Sequence, residues 1–549
     1  MTERAQALRP LPGAAPDPDA WWREGVVYEV YVRSLQDSDG DGVGDLVGIR
    51  RRLDHLEALG VDVLWLSPIF ASPMADFGYD IADYCAIDPG FGTLDDFDAL
   101  VADVHARGMR LLLDFVPNHT SDRHPWFVDS RSARHADMRD FYLWRDGAAD
   151  GGPPNNWRSQ FGGSAWTRDE RTGQWFYHAF LAQQPDLNWR NPRVRAAMHD
   201  AMRFWLRRGV DGFRVDVIWH LIKDDAYRDN PPNPLWTPDA PEHHALLPVY
   251  TTDRPEVMDI VDGLRRTVAA FDSPLASRLL IGEIYLPIER LVSYYGRVGA
   301  DARAGVQLPF NFHLIGTQWS ATSIADLILR YEAALPGGAW PNWVLGNHDQ
   351  SRIATRVGAR QARLAAMLLL TLRGTPTIYY GDEIGMVDVA IAPDARRDPA
   401  GLREPGKGLG RDPQRTPMRW ARDAGAGFTD GRPWLPVGPV TPGSTVDEQR
   451  ADPGSMLTLY RALLGLRRRE PALHRGGIEG VGALGDCLHY VRCCAGRRLL
   501  VVLNFGETPA PSPRAPVLLS TRDPASHGAA GVLEPGEGRI LDLDGAVEP

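Results

Sequence analysis

Acidic residues follow short apolar segments at four places in this chain, and acids in such positions could carry acid–base chemistry. Asp114, Asp216 and Glu283 each lie at the end of an apolar segment, and Asp349 follows an Asn-His pair. A single acid at the end of a strand often caps the next helix or pairs with an arginine. Four acids in equivalent positions, two of them beside a His or an Arg, favour an active site over capping.

Two of these acids have different predicted surroundings, and the difference would suit two different roles. Arg214 lies two residues before Asp216, hence on the same face of a strand, where its charge would keep the carboxylate ionised. Glu283 lies in an apolar segment, where burial raises the pKa of a carboxyl group. Retaining hydrolysis of a glycoside uses one acid as nucleophile and a second as proton donor, and a third, here Asp349, can hold the sugar.

A repeating unit indicates how the fold positions these acids. An amphipathic helix pattern, a glycine stop and a short apolar strand occur in that order three times, with Gly60, Gly108 and Gly209 as the stops. With five further strands, the chain predicts an α/β fold, a (β/α)8 TIM barrel, whose strand ends converge on one mouth. The predicted strands span residues 26–32, 61–68, 110–117, 212–218, 279–284, 305–310, 343–346 and 375–380.

The repeating unit is interrupted, and the interruptions predict the domain boundaries. The stretch 119–190 is too long for an ordinary loop and predicts a subdomain inserted after the third strand. Short apolar strands with turn residues between them predict an all-β domain at 467–549. The barrel then comprises 21–118 and 191–466, including a long irregular segment at 387–453, and residues 1–20 are predicted to be a disordered leader.

Five motifs, taken together and in order, resemble the signature regions of glycoside hydrolase family 13, the α-amylase family. They are Asp114-Phe-Val-Pro-Asn-His119, Gln184-Pro-Asp-Leu-Asn188, Gly212-Phe-Arg-Val-Asp216, Gly282-Glu283 and Asn347-His-Asp349. The resemblance extends from about residue 21 to the end of the chain. It implies that Asp216 is the nucleophile, Glu283 the general acid/base and Asp349 the stabiliser of the transition state. It also implies that the terminal glucose is bound by Asp76, Tyr79, His119, Gln184, Arg214, Val217, His348 and Arg415.

Two further motifs resemble one branch of that family, the exo-acting oligo-1,6-glucosidases and α-glucosidases. They are Asp76-Phe-Gly-Tyr79-Asp80 and Gln414-Arg415-Thr-Pro-Met, and in this branch Arg415 would help to close the pocket on the non-reducing end. Arg419 replaces a usual Gln, and Ser351 stands where Pro often follows Asn-His-Asp-Gln. Both departures lie beside the site and concern substrate preference.

The preferred linkage depends on the residues that follow the nucleophile. Val217 in this position accompanies α-1,6 cleavage among the resembling enzymes, whereas the segment after it is closer to bacterial α-glucosidases active on maltose and in glucosyl transfer. We expect α-1,4-linked maltose to be the better substrate, because one missing hydroxyl contact changes a preference by only about 1 to 3 kcal/mol. The alternative enzymes are an oligo-1,6-glucosidase and a trehalose synthase or sucrose isomerase. A non-catalytic scaffold resembling transporter heavy chains is disfavoured, because those lose the catalytic acids.

The segment from Asp37 to Asp45 is a candidate metal loop. Carboxylates alternate with other residues in Asp37-Ser-Asp39-Gly-Asp41-Gly-Val43-Gly-Asp45, like the first part of an EF-hand loop, but Gly48 occupies the twelfth position. An Asx-rich turn without metal is the alternative. The family resemblance implies a structural Ca²⁺ held by these four aspartates and the carbonyl of Val43, and no organic cofactor.

Composition restricts the partners. The net charge is -11 and the basic residues are scattered, so the chain shows no electrostatic signature of nucleic-acid or membrane-surface binding. No apolar stretch is long enough to span a bilayer, and the four cysteines match neither a disulfide framework nor a zinc site. We therefore expect a cytoplasmic monomer or homodimer that acts on a small neutral oligosaccharide or glucoside.

Overall fold

Eight parallel strands form the centre of the molecule. The computed structural model describes residues 17–296, 304–522 and 531–545, so most of the leader predicted for 1–20 lies outside the described residues. The strands are hydrogen-bonded in the order β6-β5-β4-β3-β2-β1-β8-β7, which curls the sheet into a nearly closed barrel and confirms the predicted fold class. They are β1 (Val27–Val30), β2 (Val63–Leu66), β3 (Arg110–Phe115), β4 (Gly212–Val215), β5 (Leu279–Gly282), β6 (Leu308–Pro309), β7 (Asn342–Val344) and β8 (Thr375–Tyr379).

Several helices between the strands begin at a residue whose side chain caps the first turn. In Leu46–Leu59, the Asp45 side chain accepts a hydrogen bond from the Gly48 amide, and Gly60 ends the helix in the left-handed conformation with φ 99°. The larger helices that follow the barrel strands are Leu46–Leu59, Leu94–Ala106, Pro192–Arg207, Val257–Ala269, Ala321–Ala334, Ile353–Thr371 and Met456–Arg469. Shorter helices span Ala20–Glu24, Val32–Leu35, Pro125–Ser130, Ile288–Leu291, His313–Gly316, Pro399–Arg403, Val446–Ala451 and Pro471–His474.

The barrel strands are buried on both faces, which explains why their sequences are continuously apolar rather than alternating. Successive side chains of a strand point to opposite faces, so each strand contributes to two apolar clusters. On one face, Tyr28, Leu64 and Leu111 pack in the large cluster that includes the helices. The other face fills the barrel interior with Val27, Val63, Trp65, Leu112, Leu279, Ile281, Leu308, Phe310 and Val344.

The region predicted as an inserted subdomain follows β3 and has its own small core. Strands Trp144–Arg145, Trp166–Arg168 and Trp175–Tyr177 form an antiparallel sheet, and the rings of Trp157 and Trp166 stack with centroids 6.0 Å apart. The buried Lys223 links the two ends of this region. Its ammonium donates to Asn118 Oδ1 at 2.7 Å, where the region leaves the barrel, and also to Asp186, where it returns.

The C-terminal part of the chain is an antiparallel β-structure. Its five-stranded sheet comprises, in order, Gly477–Leu484, Cys487–Cys494, Arg497–Asn504, Gly538–Asp542 and Val517–Ser520, and a small sheet pairs Ala510–Pro511 with Val532–Leu533. The fully buried Arg492 joins this part to the barrel, because its guanidinium donates to the carbonyl of Thr371 at 2.5 Å. All four cysteines are unpaired. Within the described ranges, no helix has both the length and the apolarity that crossing a bilayer requires.

Candidate active site

The carboxyl ends of the barrel strands open into one cavity of about 1160 Å³. The two predicted substrate contacts Arg214 and Arg415 are fully buried and act on the site through carboxylates. The other predicted site residues line the cavity directly, namely the acids Asp216, Glu283 and Asp349 together with Asp76, Tyr79, His119, Gln184, Val217 and His348.

Strand β4 positions the predicted nucleophile through a close backbone approach to β5. A Cβ at Gly212 would lie 2.0 Å from the carbonyl oxygen of Leu279, so only glycine fits at the start of β4. The resulting register places Arg214 between Asp114 on β3 and Ile281 on β5. Arg214 is therefore held in the middle of the acids that end these strands.

One guanidinium binds three of the site's carboxylates. Arg214 Nη1 lies 2.7 Å from Asp114 Oδ1 and 2.8 Å from Asp216 Oδ1, and Nη2 lies 2.9 Å from Glu283 Oε2. Its fixed planar geometry therefore sets the positions of Asp216 and Glu283 relative to each other. The sequence singled out Asp114 as an acid at a strand end, but only the structure shows that it shares Arg214 with the other two.

Burial dominates the protonation of Asp216 and Glu283. It raises the pKa of both carboxyl groups, and although Arg214 lowers the pKa of Asp216 as the sequence suggested, it does not offset the burial. Both acids contact the same guanidinium, and the charge of Glu283 raises the pKa of Asp216 while Arg214 lowers it. The pair can thus hold one proton and one negative charge, the state that a nucleophile and a proton donor require.

Val217, directly after the predicted nucleophile, has an unfavourable backbone conformation. Its φ of 35° and ψ of 44° lie in the left-handed region, which costs a β-branched residue about 1–3 kcal/mol. In this conformation its N–H donates to Glu283 Oε2 at 2.8 Å. The strained peptide therefore orients the predicted acid, a role of the backbone that no side-chain pattern in the sequence indicates.

Asp349 is contacted by two arginines and a histidine. Its Oδ1 lies 2.7 Å from Arg415 Nη2 and 3.2 Å from Arg411 Nη1, and its Oδ2 lies 3.3 Å from His348 Nε2. Burial by itself would raise the pKa of Asp349, but His348, Arg411 and Arg415 outweigh it and hold that pKa well below its usual range. Asp349 is therefore ionised and can oppose positive charge that develops on a substrate.

A chain of hydrogen bonds and stacked rings fixes His348. Its Nδ1 lies 2.6 Å from Glu29 Oε1 on β1 and its Nε2 lies 2.9 Å from the Tyr79 hydroxyl, while Tyr79 and Tyr31 stack on the ring. Burial lowers the pKa of His348 well below its usual value, so the ring is neutral. Sequence reasoning missed Glu29, although a single acid inside an apolar strand is a usable signal.

The cavity is closed at one end by residues from three distant segments. Gln184 Nε2 donates to Asp76 Oδ2 at 3.2 Å and lies 3.2 Å from His119 Nε2. Arg411 Nη2 lies 2.7 Å from Asp76 Oδ1 and 2.6 Å from Asp398 Oδ1. Arg411 and Asp398 come from the irregular segment 387–453, where no periodic pattern marks them, and sequence reasoning missed both. Together these residues connect distant segments of the chain across one side of the cavity.

The candidate metal loop lies away from this cavity. Oxygens of Asp37, Asp39 and Asp45 lie within 4.8 Å of one another, whereas Asp41 is outside this group and accepts a hydrogen bond from the Val43 amide at 2.7 Å. In the part of the chain that the structure describes, no Lys or Arg forms an ion pair with the three converging carboxylates. An all-oxygen donor set of this kind fits Ca²⁺.

Known proteins share both the barrel and the C-terminal part of this chain. Residues 29–476 match the family model of the α-amylase catalytic domain, and residues 477–541 match a domain of unknown function, DUF3459. A protein named as a probable α-glucosidase from Rhizobium meliloti (strain 1021) is 39% identical over 508 residues, which are 90% of this chain and 91% of the relative.

Two other similar proteins carry different activities in their names. An oligo-1,6-glucosidase of Halalkalibacterium halodurans is 38% identical over 523 residues, which are 88% of this chain and 90% of the relative. The crystal structure of the α-glucosyl transfer enzyme XgtA superposes with a TM-score of 0.87 at 37% identity, covering 95% of this chain and 99% of that one.

Proposed function

This chain belongs to the α-amylase family of glycoside hydrolases, and on that premise we propose that it is a retaining, exo-acting α-glucosidase. It releases glucose from the non-reducing end of short α-glucosides. The observation that carries this proposal is the ion pair of Asp76 with Arg411, which joins two distant segments in the same cavity as the acids Asp216 and Glu283 and would close it beyond one terminal sugar. A chain end fits there, whereas the middle of a long polysaccharide does not.

In the first step, the bond between the glucose and its leaving group is exchanged for a bond to the enzyme. An oxygen of Asp216 attacks the anomeric carbon while Glu283 donates its proton to the departing glycosidic oxygen. Arg214 and the Val217 amide hold the two acids in place. The positive charge that develops on the sugar ring is opposed by the ionised Asp349.

In the second step, water releases the glucose. Glu283, now ionised, takes a proton from the water, whose oxygen attacks the anomeric carbon and displaces Asp216. Two inversions leave the anomeric configuration unchanged. A sugar hydroxyl can take the place of the water, which would make glucosyl transfer or isomerisation a second activity, and the likeness to an α-glucosyl transfer enzyme supports this candidate.

Maltose is proposed as the better substrate, and a comparison of linkages tests it. We expect kcat/KM for maltose to exceed that for isomaltose. Val217 has no side-chain hydroxyl to contact the leaving sugar, but neighbouring residues compensate for this one missing contact. The assay measures both substrates with sucrose and trehalose alongside and identifies every product. If isomaltose is preferred tenfold, Val217 decides the linkage and the enzyme is an oligo-1,6-glucosidase.

A role as a non-catalytic scaffold is disfavoured because the chain retains all three predicted catalytic acids. Asp216, Glu283 and Asp349 are all present, converge on one cavity and have the contacts that their roles require. The unpaired cysteines support the further proposal that the protein works in a reducing compartment, the cytoplasm. Whether it is a monomer or a homodimer stays a prediction.

A structural Ca²⁺ is proposed for the loop around Asp37. If the ion binds only the folded protein, a hundredfold excess over Kd stabilises it by about 2.7 kcal/mol. We expect a chelator to lower Tm, added Ca²⁺ to restore it, and Asp39→Asn to weaken both responses. Activity measured well below Tm should be unaffected, since the loop lies away from the cavity. Stability indifferent to chelator and to Ca²⁺ would favour an Asx-rich turn.

A further inference from the structure

Glu29 is a fully buried acid in the barrel strand β1, and the proposed mechanism gives it no role. Its Oε1 lies 2.6 Å from His348 Nδ1. Its other oxygen, Oε2, is enclosed and has no hydrogen-bond partner among the described residues. An ionised carboxylate with one unpaired oxygen is costly in a protein interior, whereas the unpaired carbonyl oxygen of a neutral acid costs much less. These contacts therefore favour a protonated Glu29.

The contacts of His348 show where its protons lie. Tyr79 donates its hydroxyl proton to Asp114 Oδ2 at 3.0 Å, so this hydroxyl can only accept from His348 Nε2, which is 2.9 Å away. Nε2 also lies 3.3 Å from Asp349 Oδ2, a second acceptor. The single proton of the neutral ring is therefore on Nε2, and Nδ1 is an acceptor. The contact between Nδ1 and Oε1 then needs a proton that Glu29 supplies.

The charged groups around Glu29 support the same assignment. Burial raises the pKa of Glu29 well above its usual value, and Arg214 and the His348 amide lower it without offsetting the burial. The negative charges of Asp349 and Asp114 raise that pKa further, because a third carboxylate beside them is disfavoured. The titratable and charged groups that face Glu29 come from β3, β4, β8 and the segment after β7, and they are Asp114, Arg214, Tyr379, Tyr380, His348 and Asp349.

We propose that Glu29 is a positioning residue, a protonated carboxylic acid that donates to His348 Nδ1 and thereby fixes the Nε2–H tautomer of that ring. This inference rests on the proposed α-glucosidase function, because Glu29 acts on the glucose only through His348. In this tautomer the ring presents a donor to Asp349 Oδ2 and to the cavity. The opposite tautomer would turn a lone pair toward the ionised Asp349 and leave the Tyr79 oxygen without its donor.

A second buried pair of a glutamate and a histidine provides a matched control. Glu383 Oε1 lies 3.2 Å from His55 Nε2 and accepts from the Tyr28 hydroxyl at 2.8 Å, and Oε2 accepts from the Gly381 amide at 2.8 Å. Both oxygens of Glu383 thus have partners, as an ionised carboxylate requires. Neither Glu383 nor His55 lines the active-site cavity. The two glutamates should therefore respond differently to replacement by glutamine.

Glutamine distinguishes the two protonation states, because its amide supplies an N–H where a protonated acid supplies an O–H. In Glu29→Gln, kcat/KM on maltose and on 4-nitrophenyl α-glucoside, its pH profile and Tm should stay close to those of the wild type. Glu29→Leu removes the donor, and kcat/KM should fall about tenfold on both substrates, since both place a glucose against His348. Glu383→Gln should lower Tm but leave kcat/KM unchanged well below Tm, because an amide nitrogen replaces an acceptor.

Infrared spectroscopy detects the proton without relying on activity. The wild type at neutral pH should show a carboxylic acid C=O band that shifts in heavy water, is lost in Glu29→Gln and is kept in Glu383→Gln. If Glu29→Gln loses no such band, or loses as much activity as Glu29→Leu, the proposal is overturned. A wild type that cleaves neither glucoside would refute the α-glucosidase function, whereas the band would still decide whether Glu29 is protonated.

Discussion

Asp216→Asn is expected to lower kcat/KM on the order of 10⁵-fold, because an amide cannot form the covalent glucosyl-enzyme. The fold should survive, since the amide oxygen can still accept the hydrogen bond from Arg214 Nη1. The measurement is turnover of maltose and of 4-nitrophenyl α-glucoside, with Tm as the check on folding.

Chemical rescue separates loss of the nucleophile from general damage to the site. In Asp216→Ala, added azide can attack the anomeric carbon from the side that Asp216 occupied, forming a C–N bond as nitrophenolate leaves. The product should be the β-glucosyl azide, inverted because only one displacement occurs. Asp114→Asn is the matched control, since Asp114 contacts the same Arg214 nitrogen but lies beneath the cavity. Azide should not rescue it, and near-normal turnover by folded Asp216→Asn would refute the assignment.

Glu283→Gln is expected to separate substrates by their need for a proton. Cleavage of maltose should fall by about 10²–10⁴-fold, because the sugar leaves as an alkoxide unless it is protonated. Formation of the glucosyl-enzyme from 4-nitrophenyl α-glucoside should fall far less, since nitrophenolate departs without a proton. Pre-steady-state release of nitrophenol measures this step directly, and the glucosyl-enzyme should accumulate because no base activates water.

The pH dependence of kcat/KM is a second test of Glu283 as the general acid. Burial raises the pKa of Glu283, so its protonated form persists to higher pH than in an exposed glutamate. In the wild type, kcat/KM should fall as pH rises through that pKa, and Glu283→Gln should lack this basic limb. Equal losses on both substrates, or an unchanged basic limb, would show that another residue is the acid.

Several site residues could be predicted from sequence because their signals are local. The acids Asp114, Asp216 and Glu283 end apolar strands, and every barrel carries its strand ends to one mouth. The spacing of Arg214 and Asp216 likewise requires a shared strand face. The spacing could not show whether burial or Arg214 has the larger effect on the pKa of Asp216. Burial has the larger effect, and burial depends on all of the surrounding chain.

Sequence by itself determined the order of eight strands and three of the seven larger helices, because periodicity and glycine stops act within a few residues of the chain. Only the tertiary structure decided which distant residues meet in the cavity and what orients the acid Glu283. Arg411 meets Asp76 across 335 positions of sequence, and Val217 reaches Glu283 through a backbone conformation that its side chain disfavours. Contacts of this kind arise from packing between distant segments, for which a single sequence has no periodic signal.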